Sequence, residues 1–422
     1  MSRINAPRGT ADTLPADSWK WQSVEAIARE VAAIYHFAEI RTPVYEFSDL
    51  FHRGVGETTD IVSKETFTFT DRGGESITLR PEGTAGVVRA VIENNLIAQE
   101  GSRQKVFYIG PNFRYERPQK GRLRQHHQFG VEAFGIAEPE QDVECILLQL
   151  DFYSRCGLKD VALQINSLGD KESKQRYREA LVKFLTPKAS QLSEDSQRRL
   201  NENPLRILDS KDPRDQAAVV GAPPAGESLS EKSREHFQQI QDMLKDRSAP
   251  FAVNSNLVRG FDYYTGAVWE VTTSGLGSQN AIGGGGRYDN LVERLGGRPT
   301  PGVGFGIGLE RLLIAMESQQ ITLPDPRKRL VWLVAIGTAA KQAAWKLLAD
   351  LRAAGIVADM DLGNRSAKAQ FKIADREAAK FCIVLGDDEL ARGEVKLKDY
   401  SSGQESAISR TEIVARLKSL QA

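Results

Sequence analysis

At roughly 150 residues per domain, the 422-residue chain is long enough for two or three domains, with a core that needs no disulfide staples. Its 41% hydrophobic and 27% charged residues are those of an ordinary globular protein. Lys plus Arg and Asp plus Glu each number 56, so the net charge is zero; this excludes a polybasic binder but leaves room for a local basic patch. Cys145, Cys156 and Cys382 lie far apart with no CxxC pair, which excludes a disulfide framework and a cysteine zinc site. The start, MSRINAPRGTADTL, lacks the apolar run of a secretory signal, and no stretch approaches the ~18 apolar residues of a spanning helix. A cytoplasmic protein with no membrane partner is expected.

In chain order, Trp21, Val24, Ala28, Val31 and Ile34 follow the helical period and predict a helix from Ser18 to about Phe37. EIRTPVYE (39–46) is a short extended segment that Pro43 keeps from being a central strand throughout. Strand-like pieces recur at 76–84, 103–117 and 125–135, with a helix over 83–97. Residues 169–250 differ in kind: charged helical runs alternate with the breaker cluster GAPPAGES, which predicts an inserted helical domain. Strand composition returns at 257–272 and 279–288, followed by VGFGIGLERLLIAM (303–316). LPDPRKR (323–329) reads as a linker. Beyond it VWLVAIG, a helix through Leu351, KFCIVLG and EVKLKDY alternate as in a small α/β domain. The expected division is 1–168 and 251–325 for a split domain, 169–250 for the insertion and 330–422 for the last domain.

Three segments carry chemistry. If FRYER (113–117) and QHHQFGVEAFG (125–135) pair as a hairpin, alternation puts Arg114, Glu116, Gln128 and Glu132 on one sheet face. Such a polar row is costly unless it binds something; an exposed sheet face is the plain alternative. The connecting stretch, 114–127, holds five basic residues against one acid, the footprint of a phosphate-rich partner or else of a solvated turn. In the third, Gly304, Gly306 and Gly308 alternate along one strand face, so either something flat lies on bare backbone or the sheet is crowded there. The GxGxGxG spacing is not a dinucleotide fingerprint, and no P-loop, HExxH or GxSxG occurs. LVRGFDYYTGAVWEV (257–271) and AIGGGGRYDNL (281–291) each add an arginine and a tyrosine beside a strand.

Together these segments resemble the signatures of class II aminoacyl-tRNA synthetases, in order. EIRTPVYE is similar to the first, FRYE through Glu132 to the second, and GFGIGLERL with Arg311 to the third. The segments at 257–264 and 284–289, with TLRPEGT (78–84), resemble sequences peculiar to the histidyl-tRNA synthetase family. His36 is a departure, standing near where the first signature usually has glycine. The resemblance implies an α/β fold: an antiparallel sheet flanked by helices, a helical insertion and a C-terminal α/β anticodon-binding domain.

It implies ATP-dependent ligation of L-histidine to tRNA(His) through a histidyl-adenylate. Arg259 and Arg114 would be the catalytic groups, Arg114, Glu116, Arg122 and Arg311 the ATP contacts, with Mg²⁺ on the phosphates and its protein ligands unassigned. Glu82, Thr84, Gln128, Glu132, Tyr263, Tyr264 and Tyr288 would hold histidine: Glu82, Thr84 and Gln128 its ammonium, Glu132 and Tyr264 its ring nitrogens. The adenine would stack on Phe or Tyr near the hairpin. Gln119 and Arg122 would meet tRNA, and the chain would be a homodimer. The rival is a histidine-binding regulatory subunit of ATP phosphoribosyltransferase; such paralogues typically lack the C-terminal domain and the arginine-bearing histidine segment. The region from 330 onward has 14 basic and 12 acidic residues, so its likeness to an anticodon-binding domain rests on pattern, not charge.

Overall fold

In the computed structural model, helix Pro15–Ile34 begins with proline in its first turn, where the missing N–H forfeits no helical bond. Val24, Ala28, Val31 and Ala32 form its buried stripe. The helix ends three residues before the expected Phe37. His36 takes the left-handed conformation (φ 61°), and the N–H groups of His36 and Phe37 donate back to the carbonyls of Ala33 and Ala32. This closure normally favours glycine, so His36 holds a strained cap. It leaves Ile34, expected on the core stripe, 56% exposed at the helix end. Residues 4–56, 59–97, 99, 101–276, 280–325 and 329–421 are described, and they divide into two units, Met1–Leu323 and Pro324–Ala422. The expected linker therefore includes 326–328, which lie outside the described residues, as does residue 279 of the strand expected at 279–288.

The strands of the first unit are β1 (Ala38–Glu39), β2 (Tyr45–Phe47), β3 (Phe67–Thr70), β4 (Ser76–Leu79), β5 (Gln104–Phe113) and β6 (Gln125–Phe134). They continue with β7 (Ala162–Ser167), β8 (Phe251–Val253), β9 (Thr265–Thr272), β10 (Ala281–Arg287) and β11 (Gly302–Gly308). Eight form one sheet in the order β1-β5-β6-β11-β10-β9-β7-β8, antiparallel except for the two edge pairs β1–β5 and β7–β8. Side chains alternate as the sequence pattern requires. Phe129, Val131 and Ala133 of β6, Trp269 of β9 and Phe305 of β11 enter a core shared with helices Pro15–Ile34, Pro139–Arg155 and Leu309–Ser318. The opposite face carries Tyr108, Gln128, Gly130 and Glu132, and helix Thr84–Glu93 brings Val87, Val88 and Val91 to the cluster on that side. A small sheet, β2-β4-β3, stands apart.

Three expected strands are shorter than read, and the piece expected at 76–84 is strand only over Ser76–Leu79. β5 stops at Phe113, so FRYER is not strand beyond its first residue, and residues 114–124 form an irregular connection with one bridge, Gln119 to Arg122. Its Tyr115 N–H donates to the carbonyl of Glu65 rather than to a ladder partner. Likewise 254–264 is irregular and only Thr265–Thr272 is strand. The insertion is helical as expected, with helices Lys171–Leu185, Glu194–Glu202, Pro213–Ala218 and Glu231–Asp246. Asp170, Ser193, Asp212 and Ser230 accept hydrogen bonds at their N-termini. The last of these helices sends Ile240 and Leu244 into the main core.

The second unit is a five-stranded sheet of β12 (Val331–Ala335), β13 (Ala358–Met360), β14 (Phe381–Leu385), β15 (Glu394–Asp399) and β16 (Glu405–Ser409), ordered β13-β12-β14-β15-β16. The first three are parallel and the last two antiparallel. Leu347, Leu348 and Leu351 of helix Thr338–Ala353 and Ile413 and Leu417 of helix Ile413–Gln421 pack on Val331, Leu333, Phe381 and Ile383. No helix among the described residues is long and apolar enough to cross a membrane.

Candidate active site

The register of three strands builds the floor of a cavity. Gly304, Gly306 and Gly308 of β11 lie opposite Glu132, Gly130 and Gln128 of β6, and Gly284 of β10 lies opposite both Gly306 and Glu270. All therefore share one face, as the alternation of glycines predicts. The face is less bare than expected. A Cβ at Gly304 would collide with the Glu132 carboxylate and one at Gly306 with the Gln128 amide, whereas Gly308 faces open space. Two of the three glycines thus admit side chains from the next strand, because neighbours across a ladder leave no room for a second side chain.

Above this floor is a cavity of about 370 Å³, within the range of small-ligand sites. It brings together Glu82, Thr84, Arg114, Glu116, Arg122, Gln128, Arg259, Tyr263, Tyr264, Tyr288 and Arg311 from the expected set. Two expected residues are not on its surface. Gln119 is exposed outside it, on the irregular connection. Glu132 sits behind the wall, only 1% exposed, where Thr84 Oγ1 donates to it at 2.7 Å and the Tyr288 hydroxyl donates to its other oxygen. Burial raises its carboxyl to about 8, so it is mostly protonated at neutral pH.

Glu82 ends the loop before helix Thr84–Glu93, and its carboxylate accepts from the N–H groups of Thr84 (2.7 Å) and Ala85 (2.8 Å). Two of the free N–H groups at the helix N-terminus are thereby satisfied, and burial still pushes the Glu82 carboxyl up. Gln128 is oriented by Asn112, whose amide donates to Gln128 Oε1 at 2.7 Å. Phe261, Tyr263, Tyr264 and Tyr288 form an aromatic wall, with Phe261 and Tyr263 stacked at 5.1 Å. Burial keeps the phenols of Tyr263 and Tyr288 well above the ordinary tyrosine value, so they remain neutral donors.

Four guanidinium groups surround the same space. Arg114 donates to the Pro81 carbonyl at 2.8 Å, lies over the Phe261 ring and stands 3.9 Å from Glu116. Arg122 pairs with Glu116. Arg311 donates to the carbonyls of Gly121 and Ala281, both at 3.0 Å. Burial, then the charges of Arg122 and Arg114, pull the Arg311 guanidinium down; Arg114 and Arg122 are lowered by burial as well. Arg259 donates through Nη1 to Glu270 at 2.6 Å, while its buried Nε has no partner among the described residues. Clustered cations with an unused donor are suited to an anion.

Some residues of the cavity carry little signal in the sequence. Glu270 anchors Arg259; its one signal is a lone carboxylate in the apolar strand VWEV. His126 lines the cavity, and burial together with Arg114 and Arg311 lowers its imidazole to about 3, so it is a neutral ring. Phe113 and Tyr115, the hairpin aromatics, do not line it. His127 points the other way: its N–H and Nδ1 meet Glu310, and its ring is edge-on to Trp21. Arg287, the arginine of the 284–289 segment, is likewise outside the cavity. It pairs with Asp142 and Asp289 and fixes helix Pro139–Arg155 to β10.

The antiparallel sheet with glycines along β11, the arginine-rich hairpin connection and the arginine at the start of the following helix agree with the class II aminoacyl-tRNA synthetase fold that the sequence resemblance implies. The comparisons with known proteins specify it further. The histidyl-tRNA synthetase family model matches residues 9–312 and an anticodon-binding domain model matches 330–420. A histidine–tRNA ligase of Streptococcus pyogenes serotype M5 is 47% identical over 419 residues, 99% of this chain and 98% of that protein. The crystal structure of apo histidyl-tRNA synthetase from S. aureus is similar with a TM-score of 0.83 at 39% identity, covering 99% of this chain and 100% of that one. A Bacillus halodurans structure described as an ATP phosphoribosyltransferase regulatory subunit/histidyl-tRNA synthetase shares the fold, with a TM-score of 0.67 at 21% identity, over 92% of this chain and 99% of that one. The chain belongs to the histidyl-tRNA synthetase family.

Proposed function

We propose that the cavity joins L-histidine to ATP and that the chain then transfers the histidyl group to tRNA(His). The observation that carries this reading is the convergence of Arg114, Arg122, Arg259 and Arg311 on one cavity that also holds Glu82 and four tyrosines, Tyr108, Tyr263, Tyr264 and Tyr288. In the first step a carboxylate oxygen of histidine bonds to the α-phosphorus of ATP, and the bond to the departing pyrophosphate breaks. Such chemistry depends on alignment and on stabilising spread negative charge, work for fixed guanidinium forks. Arg259 and Arg114 serve the reacting carboxylate and α-phosphate; Arg122 and Arg311 serve the β- and γ-phosphates. In the second step the terminal ribose hydroxyl of tRNA attacks the activated carbonyl and AMP leaves.

Glu82, Thr84 and Gln128 receive the ammonium, and Tyr263, Tyr264 and Tyr288 enclose the imidazole. Glu132 acts on the imidazole through Thr84 and Tyr288, whose hydroxyl groups it holds beside the ring. The neutral ring of His126 is the hairpin's stacking surface for adenine, in place of the expected Phe or Tyr. No group of three or more His, Cys, Asp or Glu able to hold a metal occurs among the described residues. Mg²⁺ carried on ATP needs only one or two protein carboxylates; Glu116 and Glu270, which line the cavity, would hold it, and it would neutralise phosphate charge.

Gln119 and the basic connection face the acceptor end, and the 330–420 unit takes the anticodon. Residues 169–250 interrupt the catalytic halves 1–168 and 251–325. Retention of both Arg259 and the 330–422 unit favours charging over a regulatory subunit. Three free, buried cysteines suit a cytoplasmic setting. On the small sheet, Tyr45, Phe47 and Phe69 are 55%, 59% and 50% exposed on one face, an apolar surface that a second copy would cover in a homodimer. Phe47→Glu with Phe69→Glu should then sediment as monomer. The function is tested by ATP–pyrophosphate exchange with each of the twenty amino acids, followed by charging of purified tRNA. Exchange and charging with histidine alone are expected. Exchange without charging would instead support the regulatory reading.

A further inference from the structure

The segment 254–264 carries Arg259, Tyr263 and Tyr264 yet belongs to no strand, so its hold must come from elsewhere. At its start, Asn166 donates to the carbonyls of Ser255 (3.2 Å) and Leu257 (3.0 Å). Further along, where Glu270 holds the Arg259 side chain and Arg114 lies over Phe261, three more side-chain hydrogen bonds come from the insertion. Arg206 Nη1 donates to the Arg259 carbonyl at 3.4 Å, Asn203 Nδ2 to Asp262 Oδ1 at 2.8 Å, and Lys174 Nζ to the Tyr264 carbonyl. Leu205 and Leu208 pack on the cluster of Val258, Tyr263 and Tyr264. Behind the segment is a second cavity of about 380 Å³, lined by Lys174, Asn203 and Arg206 as well as by Arg259, Asp262 and Tyr263. The segment is thus a thin partition between two cavities, one of them the candidate active site. Three polar contacts reach it from the insertion.

We infer that Lys174, Asn203 and Arg206 are positioning residues that hold Arg259, Tyr263 and Tyr264 in place, so that the insertion is part of the histidine site. This rests on the reading of the first cavity as the place where histidine is activated. Anchoring by polar side chains fits the demand: reactive groups must stay within about 0.5 Å of their working geometry, and hydrogen bonds to the backbone of a partition backed by a cavity add directional restraint to its packing. The partners are split between two insertion elements, helix Lys171–Leu185 and the turn at 203–206, so the segment is held at both ends of its reactive stretch.

The test measures kcat and both KM values of ATP–pyrophosphate exchange for Lys174→Met, Asn203→Ala and their combination, with thermal unfolding as a check on folding. Loss of a hydrogen bond involving a charged group should raise histidine KM about tenfold in Lys174→Met and about fivefold in Asn203→Ala. ATP KM should stay within about twofold, because the arginines of the hairpin and of helix Leu309–Ser318 are untouched. The double variant should be non-additive, since both act on one segment. Unchanged histidine KM in either folded variant would overturn the inference, and so would a parallel rise in both KM values, the mark of general loosening. Arg259→Ala separates the two levels. If that variant keeps exchange, the reading of the cavity fails; if it is inactive while the Lys174 and Asn203 variants match wild type, only the positioning role fails.

Discussion

The candidate site has two halves built by different means. On the sheet half, Gln128, Glu132, Gly304 and Gly306 owe their positions to the ladder between β6 and β11, and each side chain is fitted against a glycine across the strand. On the irregular half, Arg114, Arg122, Arg259 and Tyr264 lie outside the named strands and are placed by individual contacts: Arg114 donates to the Pro81 carbonyl, Arg122 pairs with Glu116, Arg259 donates to Glu270, and Lys174 donates to the Tyr264 carbonyl. A ladder distributes restraint over many backbone bonds, whereas a single contact concentrates it. Substitutions in the sheet half should therefore act first on stability, and those in the irregular half first on catalysis.

The largest expected effect falls on the irregular half. Arg259→Ala should lower the histidine-dependent exchange rate about 10²–10³-fold, like loss of one donor to a developing anion. Its urea midpoint should change little, since the side chain's partner Glu270 faces the cavity. Near-wild-type exchange would break the comparison at its root. Next, Gly304→Ala should cost about 1–3 kcal/mol of stability through overpacking against the Glu132 carboxylate and the Val131 carbonyl. Gly308→Ala, with nothing within 4 Å of the added carbon, should stay within about 0.5 kcal/mol in the same denaturation experiment. Equal losses would show that the ladder does not discriminate as described.

The smallest effect concerns pH. The Glu132 carboxyl is raised from 4.5 to about 8, so between those values the folded chain keeps a proton that the unfolded chain has released. Its contribution to stability is full below about pH 4.5 and is lost as pH rises through about 8. Glu132→Gln, which cannot ionise, should show a flatter stability profile across that window than wild type. An unchanged slope would mean that Glu132 ionises as freely as a surface carboxylate.

Much of the sheet half is legible in the sequence. Strict alternation of Gly304, Gly306 and Gly308, and of Gln128 with Glu132, by itself determines which of these residues share a face. What alternation does not show is who fills the space above each glycine, because that depends on the strand pairing. The irregular half is legible only as composition. FRYER reads as strand by its aromatic and charged alternation, but β5 ends at Phe113 and the chain turns to bond Glu65. Arg114 and Glu116 still meet, through the turn and not through pleating. Lys174, Asn203 and Asp209 reach the site or its back wall from the helical stretch between β7 and β8, a tertiary fact without local signature. His36 stands out in the sequence only as a departure, and its left-handed helix cap gives that departure a physical role.

The most direct test of the assignment is a crystal structure of the chain with a non-hydrolysable histidyl-adenylate analogue. The phosphate group is expected within hydrogen-bond distance of Arg114 and Arg259, the imidazole among Tyr263, Tyr264 and Tyr288 with Glu132 behind it, and adenine against His126. An analogue bound elsewhere, or seated with its phosphate away from both arginines, would contradict it.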